Sequence, residues 1–106
     1  MYLIILIVDY NKIQSLGSVK DVIDLEPLIN KFKSFRWETF EVDGHNHGLL
    51  KTMIMNATEL NGKPKVIVAH TVKGKGISFM ENKLLWHYKS PDNDQLHAAI
   101  KEIEKP

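Results

Sequence analysis

Two short, unbroken apolar runs constrain the fold of this chain more than any other feature. Residues 3–8 read LIILIV and residues 66–69 read VIVA, and neither run alternates polar with apolar side chains. Runs of this length without alternation are typical of strands that are covered on both faces of a parallel sheet. We therefore predict that they are the first and third strands of a buried sheet, with residues 3–8 in a central position.

A helix and a second strand are predicted between these two runs. Residues 12–23 have a turn-like composition, and Asp24 after them is a suitable N-cap for a helix with Glu26 and Pro27 in its first turn. Residues 36–42, RWETFEV, then have the composition of a strand. The apolar face assigned to this first helix consists of Leu25, Leu28, Ile29, Phe32 and Phe35.

Two further helices are predicted on either side of the third strand. One covers residues 46–60 and is stopped by Asn61 and Gly62, and the other begins with Ser90 as its cap and Pro91 as its first residue. The apolar faces assigned to them consist of Leu49, Leu50, Met53, Ile54, Ala57 and Leu60, and of Leu96, Ala99, Ile100 and Ile103.

The resulting order, β-α-β-α-β-α, predicts a three-layer α/β fold with a mostly parallel sheet, in one domain formed by residues 1–106. Ligands of such sheets bind at the carboxyl ends of the strands. The polar segments DYNKIQ, DGHNH and TVKGKG each directly follow a predicted strand, so we expect them to converge on one edge. A sheet of three strands with three helices covers its central strand only thinly. We therefore expect the chain to be a piece of a larger fold.

Composition and charge narrow the classes of partner. The chain has 14 basic and 13 acidic side chains, a balance that gives no electrostatic case for nucleic acid or an anionic membrane. The apolar start has no basic n-region and is shorter than the roughly 20 residues of a spanning helix. The absence of cysteine excludes disulfides and thiol chemistry and is ordinary for a cytoplasmic protein, which is the location we expect.

The segment after the third strand contains a candidate phosphate-binding loop. Gly74 and Gly76 allow the backbone to approach a ligand closely, and Lys73 and Lys75 offer ammonium groups to a phosphate. His87, in the same predicted long loop, is suited to phosphate binding or proton transfer. The segment is neither a Walker A loop nor a G-x-G-x-x-G motif, so solvated surface lysines and a histidine that serves only in packing remain the alternatives.

Other polar residues have weaker claims to a site. Asp9 and Asn11 carry oxygens that suit a hard cation such as Mg²⁺, although an ordinary turn is the commoner use of such residues. His45 and His47 form an H-x-H pair without further recognisable ligands, which is a weak zinc signal that we discount. We expect His70 to be buried and bonded to backbone.

Three blocks together resemble one family. VDYNKIQ, LEPLINKFKSFRWETFEVDGHN and KPKVIVAHTVKGKGISFMENKLLWHYKSP are similar to successive blocks of the transketolases, in the carboxyl-side part of their amino-terminal, thiamine-diphosphate-binding section. The resemblance covers nearly the whole chain, includes the transketolase-like proteins built from two subunits, and is most specific at residues 63–91. It implies a transferase of carbohydrate metabolism, of the pentose phosphate type, that uses thiamine diphosphate and Mg²⁺ or another divalent cation. Sugar phosphates, a carboxyl-terminal subunit or further domains, and a homo- or hetero-oligomer are the partners it implies.

The resemblance also implies roles for individual residues. Asn11 corresponds to the metal-binding asparagine and Ile13 to the residue that supplies a carbonyl to the metal. Lys73 corresponds to the lysine near the cofactor, and His87 to the catalytic histidine that approaches the diphosphate and the substrate. Two departures stand out: the GDG motif that supplies the other half of the metal shell is absent, and Tyr88 stands where many members have glycine.

Two hypotheses follow from these observations. In the first, the chain is part of a transketolase-like enzyme that transfers a two-carbon ketol unit between sugar phosphates, and the isolated chain is inactive. In the second, it is a truncated, non-catalytic α/β module that acts as a binding or assembly element. A GDG-bearing segment encoded upstream of the chain would favour the first.

Overall fold

The computed structural model describes residues 3–105, which form two compact units. The first unit contains residues 3–11 and Asp24–Thr71, and the second contains Lys12–Ile23 and residues 72–105. The elements in chain order are β1 (Ile5–Tyr10), β2 (Ile13–Gln14), β3 (Gly17–Ser18), α1 (Val19–Val22), α2 (Leu28–Ser34), β4 (Glu38–Asp43), α3 (His47–Ala57), β5 (Lys65–His70), a 3-10 helix (Leu84–His87) and α4 (Asn93–Ile103).

The first unit is built on a parallel sheet with the strand order β1-β5-β4. The predicted α/β class with a parallel sheet is therefore confirmed. The central strand is β5, whose Val66 and Ile67 are fully buried, and the prediction that β1 is central is wrong for the described residues. Leu6 and Ile7, on opposite faces of β1, are 38% and 49% exposed, so an apolar run alone did not distinguish an edge strand from a central one.

Helix α3 forms the core with one face of the sheet. Alternation along the strands directs Ile67, Ala69 and Val42 to that face, where they pack with Ala57 of α3. The partly buried side chains around this core are Ile5, Phe40, Leu50, Met53 and Ile54. Four of the six residues predicted for the inward face of α3 are therefore confirmed.

The remaining two inward predictions for α3, Leu49 and Leu60, are wrong, because these side chains are 48% and 63% exposed. The helix ends at Ala57, well before the predicted stop at Asn61 and Gly62. Its last turn is closed by Thr58, whose backbone N–H and hydroxyl both donate to the carbonyl of Met55. Thr58 therefore satisfies a carbonyl of the last turn and closes the helix at this point.

Helix α2 begins later than its sequence indicates. Its N-cap is Pro27, and the predicted cap Asp24 instead accepts the backbone N–H of Glu26 at 3.0 Å, which closes a turn before the helix. Glu26 takes over the capping role, because its Oε2 accepts the N–H of Leu28 at 3.1 Å. Of the predicted apolar face, Leu25 and Phe35 lie outside the helix, and Phe35 is 76% exposed.

A hydrogen bond ties the segment before α2 to the end of β1. The hydroxyl of the buried Tyr10 donates to Oε1 of Glu26 at 2.8 Å. Burial, followed by this bond and the negative charges of Glu26 and Asp24, raises the pKa of Tyr10 to about 12. The same bond, together with that from the N–H of Leu28, lowers the pKa of Glu26.

The second unit begins with a small hairpin where the sequence predicted only turns. Strands β2 and β3 pair antiparallel, with Ile13 opposite Ser18 and Gln14 opposite Gly17. Ser18 then caps α1 by accepting the backbone N–H of Asp21 at 3.2 Å. Two-residue strands carry too few residues to produce a readable alternation, which is why the sequence pattern did not reveal them.

The rest of the second unit contains the 3-10 helix and α4. The 3-10 helix lies inside residues 73–89, the long loop for which the sequence predicted no secondary structure. Helix α4 is capped by Asp92 in a capping box with Gln95, so the predicted cap Ser90 is wrong by two residues. Ala99 is buried, whereas the other members of the predicted stripe, Leu96, Ile100 and Ile103, are 42–64% exposed. Within residues 3–105, no helix has the length and apolarity needed to cross a membrane.

We expect Ile67→Ala to lower the free energy of unfolding by about 2–5 kcal/mol, because it removes fully buried methyl groups and leaves a cavity in the core. Urea unfolding followed by circular dichroism measures this change. Ile23→Ala is the matched control, since Ile23 is 63% exposed and its truncation should cost within about 0.5 kcal/mol. Equal losses for the two variants would contradict the assigned core.

The bond between Tyr10 and Glu26 predicts a dependence of stability on pH. Because the folded state lowers the pKa of Glu26, its contribution is present above the unfolded pKa and is lost as pH falls through the folded value. The pKa of Tyr10 is raised, so its contribution is present below about pH 10 and is lost as pH rises through about 12.

Tyr10→Phe should raise the pKa of Glu26, measured by carboxyl-carbon NMR titration, because the hydroxyl donor is removed. Tyr88→Phe is the control and should leave the pKa of Glu26 unchanged, because the hydroxyl of Tyr88 bonds to Ser15 instead. An unaltered Glu26 titration in Tyr10→Phe would show that the bond is not formed in solution.

Candidate functional site

The carboxyl ends of the three parallel strands lie at one edge of the first unit. The register pairs Tyr10 with His70 and Asp43 with His70, so β1, β4 and β5 end at the same level. Beyond the strands, the hydroxyl of Thr71 donates to the carboxylate of Asp9, and the N–H of Gly44 donates to the carbonyl of His70 at 2.8 Å. The three strands therefore end at one edge, and the convergence of the polar segments that follow them stays a prediction.

The DGHNH segment at this edge has a structural task. A Cβ on Gly44 would lie 2.5 Å from Cγ2 of Thr71, so only glycine fits this close approach. Asp43 accepts the N–H of His45 at 2.9 Å, and Asn46 caps α3 by accepting the N–H of Leu49 at 3.0 Å. Among residues 3–105, no three histidine, aspartate or glutamate side chains are placed so that they could hold a metal ion together.

The prediction that His70 is buried and bonded to backbone is wrong. Its side chain is 37% exposed, and its Nε2 lies 3.0 Å from Oε1 of Glu41 on the neighbouring strand. Its ring also contacts that of Tyr10, at 5.8 Å between centroids. Because it is the last residue of β5, it lies beyond the buried part of the strand and pairs with a carboxylate rather than with backbone.

The four residues that the family resemblance singles out are distributed over both units. Asn11 directly follows β1 in the first unit, and Ile13 opens β2 in the second. Lys73 and His87 also lie in the second unit, with Lys73 at the start of the Lys-Gly loop and His87 at the end of the 3-10 helix.

The Lys-Gly loop, residues 73–82, is a closed structure. Its ends meet where the N–H of Asn82 donates to the carbonyl of Lys73 at 2.9 Å. Gly74 has φ +75° and lies against the backbone of Met80, where a Cβ would be 2.7 Å from the carbonyl carbon. This position therefore requires glycine both for its conformation and for its contact.

The two lysines of this loop have different environments. The ammonium of Lys75 lies 3.9 Å from Oε1 of Glu81, which also accepts the N–H of Gly76 at 3.1 Å. Lys73 is partly buried and takes part in none of the ion pairs found within residues 3–105. Of the two ammonium groups, that of Lys73 is therefore the one not committed to a carboxylate.

The tip of the loop is attached to α4 by a contact that the sequence did not reveal. Both the backbone N–H and the hydroxyl of Ser78 donate to the carboxylate of Glu102, each at 2.7 Å. These two bonds, the backbone one first, lower the pKa of Glu102. The partners are 24 residues apart, and no local motif connects them.

His87 is held between the loop and the hairpin of the second unit. The indole N–H of the preceding Trp86 donates to the carbonyl of Phe79 at 3.0 Å, and the two rings pack at 5.4 Å between centroids. Nε2 of His87 lies 3.0 Å from the hydroxyl of Ser15, and the hydroxyl of Tyr88 donates to the carbonyl of Ser15. The second unit thus brings His87 to the hairpin that Ile13 begins.

Taken one by one, these residues carry groups of the kind that bind a diphosphate or a hard cation. The side-chain amide oxygen of Asn11 and the carbonyl of Ile13 are oxygen donors of the kind that Mg²⁺ prefers. The ammonium of Lys73 and the imidazole of His87 suit anionic phosphate oxygens. The donor set is partial, since it includes no carboxylate.

Comparison with known proteins identifies the family. Residues 2–103 match the family described as "Transketolase, thiamine diphosphate binding domain". Over 97 residues the chain is 39% identical to the 6-deoxy-6-sulfo-D-fructose transketolase subunit of Clostridium sp. (strain MSTE9), a match that covers 92% of this chain and 35% of that protein. Over 103 residues it is 36% identical to an apulose-4-phosphate transketolase subunit of Actinobacillus succinogenes, covering 95% and 36% respectively.

The fold agrees with a solved structure. A crystal structure of transketolase from Campylobacter jejuni superposes with a TM-score of 0.86 at 24% identity, over 94% of this chain and 16% of that one. The chain thus spans about a third of the length of these two curated relatives. The match over residues 2–103 shows that the chain belongs to the transketolase family, within its thiamine diphosphate binding domain.

Proposed function

We propose that this chain forms one wall of the thiamine diphosphate site of a transketolase that transfers a two-carbon ketol unit between sugar phosphates. The observation that carries the proposal is the contrast within the Lys-Gly loop. Lys75 is paired with Glu81, whereas Lys73 has no ion pair within residues 3–105 and begins a loop closed by its own hydrogen bonds. An uncommitted ammonium on a fixed backbone is suited to bind a phosphate group.

Each proposed site residue has a distinct task. The amide oxygen of Asn11 and the carbonyl of Ile13 would hold Mg²⁺, or another divalent cation, against the diphosphate. Lys73 would neutralise phosphate charge, and His87 would donate a hydrogen bond to the diphosphate or move a proton at the substrate, as the catalytic residue of this set. When bound, thiamine diphosphate supplies the electron sink for the cleavage of the carbon–carbon bond.

The partners proposed for the chain follow from its relatives. The two curated relatives above are named as transketolase subunits, and this chain spans about a third of their length. We therefore propose that it works with a carboxyl-terminal subunit or further domains, in a homo- or hetero-oligomer, in cytoplasmic carbohydrate metabolism. The alternative to this proposal is a non-catalytic binding or assembly module.

In the complete enzyme, Lys73→Ala and His87→Ala should each raise the half-saturating concentration of thiamine diphosphate or sugar phosphate by about 10–100-fold, since each removes a charge-assisted hydrogen bond. Steady-state ketol transfer with varied cofactor measures this. Lys75→Ala is the matched control, because the exposed ammonium of Lys75 already pairs with the carboxylate of Glu81, and it should stay within about threefold of wild type. Unchanged kinetics for both Lys73→Ala and His87→Ala would remove these residues from the site.

A purified polypeptide of these 106 residues should show no ketol transfer, because it lacks the GDG motif that the family resemblance assigns to the other half of the metal shell. A coupled assay with a ketose phosphate donor and an aldose phosphate acceptor tests this. Turnover above the background of Lys73→Ala would contradict it. Ketol transfer by the complete enzyme that contains this segment would support the proposed function over the non-catalytic alternative.

A further inference from the structure

We propose that Ser15 is a positioning residue that orients the ring of His87, so that Nδ1 rather than Nε2 faces the bound ligand. The inference rests on the proposed role of His87 in the thiamine diphosphate site. It concerns the second unit alone, in which all the contacts below are made.

The hairpin that carries Ser15 depends on contacts from elsewhere. Its strands, β2 and β3, are two residues long each, and a hairpin of this size is not stable by itself in water. Its base is held by the N–H of Val19, which donates to the carbonyl of Lys12 at 2.9 Å, and by the burial of the Val19 side chain. The turn at the other end is held by the residues after Trp86.

Two consecutive residues, His87 and Tyr88, contact the hydroxyl and the backbone carbonyl of Ser15. Its hydroxyl lies 3.0 Å from Nε2 of His87, and its carbonyl accepts the hydroxyl of Tyr88. The rings of His87 and Tyr88 are themselves in edge-to-face contact, at 5.0 Å between centroids and 81° between planes. Two points of attachment fix the turn in both position and rotation relative to the imidazole.

The backbone that carries His87 is fixed independently of Ser15. The indole of Trp86 is bonded to the carbonyl of Phe79 and packed on its ring, and the ammonium of Lys89 lies 5.3 Å from the Trp86 ring centroid. With the backbone anchored in this way, the side-chain torsions of His87 are the freedom that remains. The bond to Ser15 restricts those torsions.

A nitrogen that is engaged by Ser15 is not available to a ligand. Within residues 3–105, the hydrogen bond found for the His87 ring is to Nε2, which leaves Nδ1 for the ligand. When the Ser15 hydroxyl donates to Nε2, a neutral His87 carries its proton on Nδ1 and can donate it to a phosphate oxygen. Ser15 thereby holds the ring in the orientation that leaves Nδ1 for an anion.

The test uses the complete enzyme and the concentration of thiamine diphosphate at half-saturation. Ser15→Ala should raise this concentration about 10-fold, and Ser15→Thr, which keeps the hydroxyl, should stay within about threefold of wild type. In a His87→Ala background, Ser15→Ala should have no further effect, because the two residues act through one bond. Ser34→Ala is the matched control, since the hydroxyl of Ser34 bonds only within its own helix, to the carbonyl of Asn30.

The possible outcomes separate this inference from the function on which it rests. Full additivity of Ser15→Ala and His87→Ala, or a Ser15→Thr variant as impaired as Ser15→Ala, would overturn the positioning role. Wild-type behaviour of Ser15→Ala beside an impaired His87→Ala would overturn it too, and would leave the proposed function intact. Wild-type behaviour of His87→Ala would overturn the proposed role of His87 and this inference with it.

A second variant covers the case in which Ser15→Ala does not fold. Tyr88→Phe removes the contact to the Ser15 carbonyl and leaves the hydroxyl of Ser15 in place. It should raise the half-saturating cofactor concentration about threefold in the wild-type background and not at all in His87→Ala. An equal effect in both backgrounds would show that Tyr88 acts without His87 and would contradict the inference.

Discussion

The burial of β5 is the constraint on which the first unit depends. Val66, Ile67 and Val68 are at most 1% exposed, and the strand pairs along its whole length with β1 on one side and β4 on the other. Slipping β4 by one residue would turn Phe40 and Val42 away from the face that packs on α3. The register of β4 is therefore strongly specified, and the pairing of both partners with β5 fixes the level at which Tyr10, Asp43 and the polar segments after them begin.

The amino-terminal end of β5 adds a second constraint on that register. Lys65 is 1% exposed, and its ammonium donates to Oδ1 of Asn61 at 3.0 Å and to the carbonyl of Lys63 at 3.2 Å, with Glu38 at 3.9 Å. A buried ammonium is costly unless it is hydrogen-bonded, so Lys65 must stay beside these acceptors. The strand is thus held by apolar packing along its middle and by the hydrogen bonds of the buried Lys65 at its amino-terminal end.

Features that depend on a continuous sequence pattern were predicted, and features that depend on contacts between distant residues were not. Unbroken apolar runs identified β1 and β5, and helical spacing identified the buried side of α3. The caps of α2 and α4 were misplaced because several suitable residues precede each helix, although Asp92 followed three residues later by Gln95 is a readable capping box. Edge or central position depends on neighbours in space, which an apolar run does not record.

In the candidate site, too, some features could be predicted from the sequence and others depend on distant contacts. The family resemblance names Lys73 and His87, but the difference between Lys73 and Lys75 depends on Glu81 and on the closed loop. The contact of Ser15 with His87 joins residues 72 positions apart, and no spacing rule could have found it.

The two tryptophans of the chain lie in different units and pack on different partners. Trp37 packs on Phe32 at 5.5 Å in the first unit, and Trp86 packs on Phe79 at 5.4 Å in the second. Each indole is therefore an intrinsic fluorescent reporter of one unit. The Trp37→Phe variant keeps Trp86 and would report the second unit, and the Trp86→Phe variant keeps Trp37 and would report the first. Their melting curves would show whether the two units unfold together or one after the other.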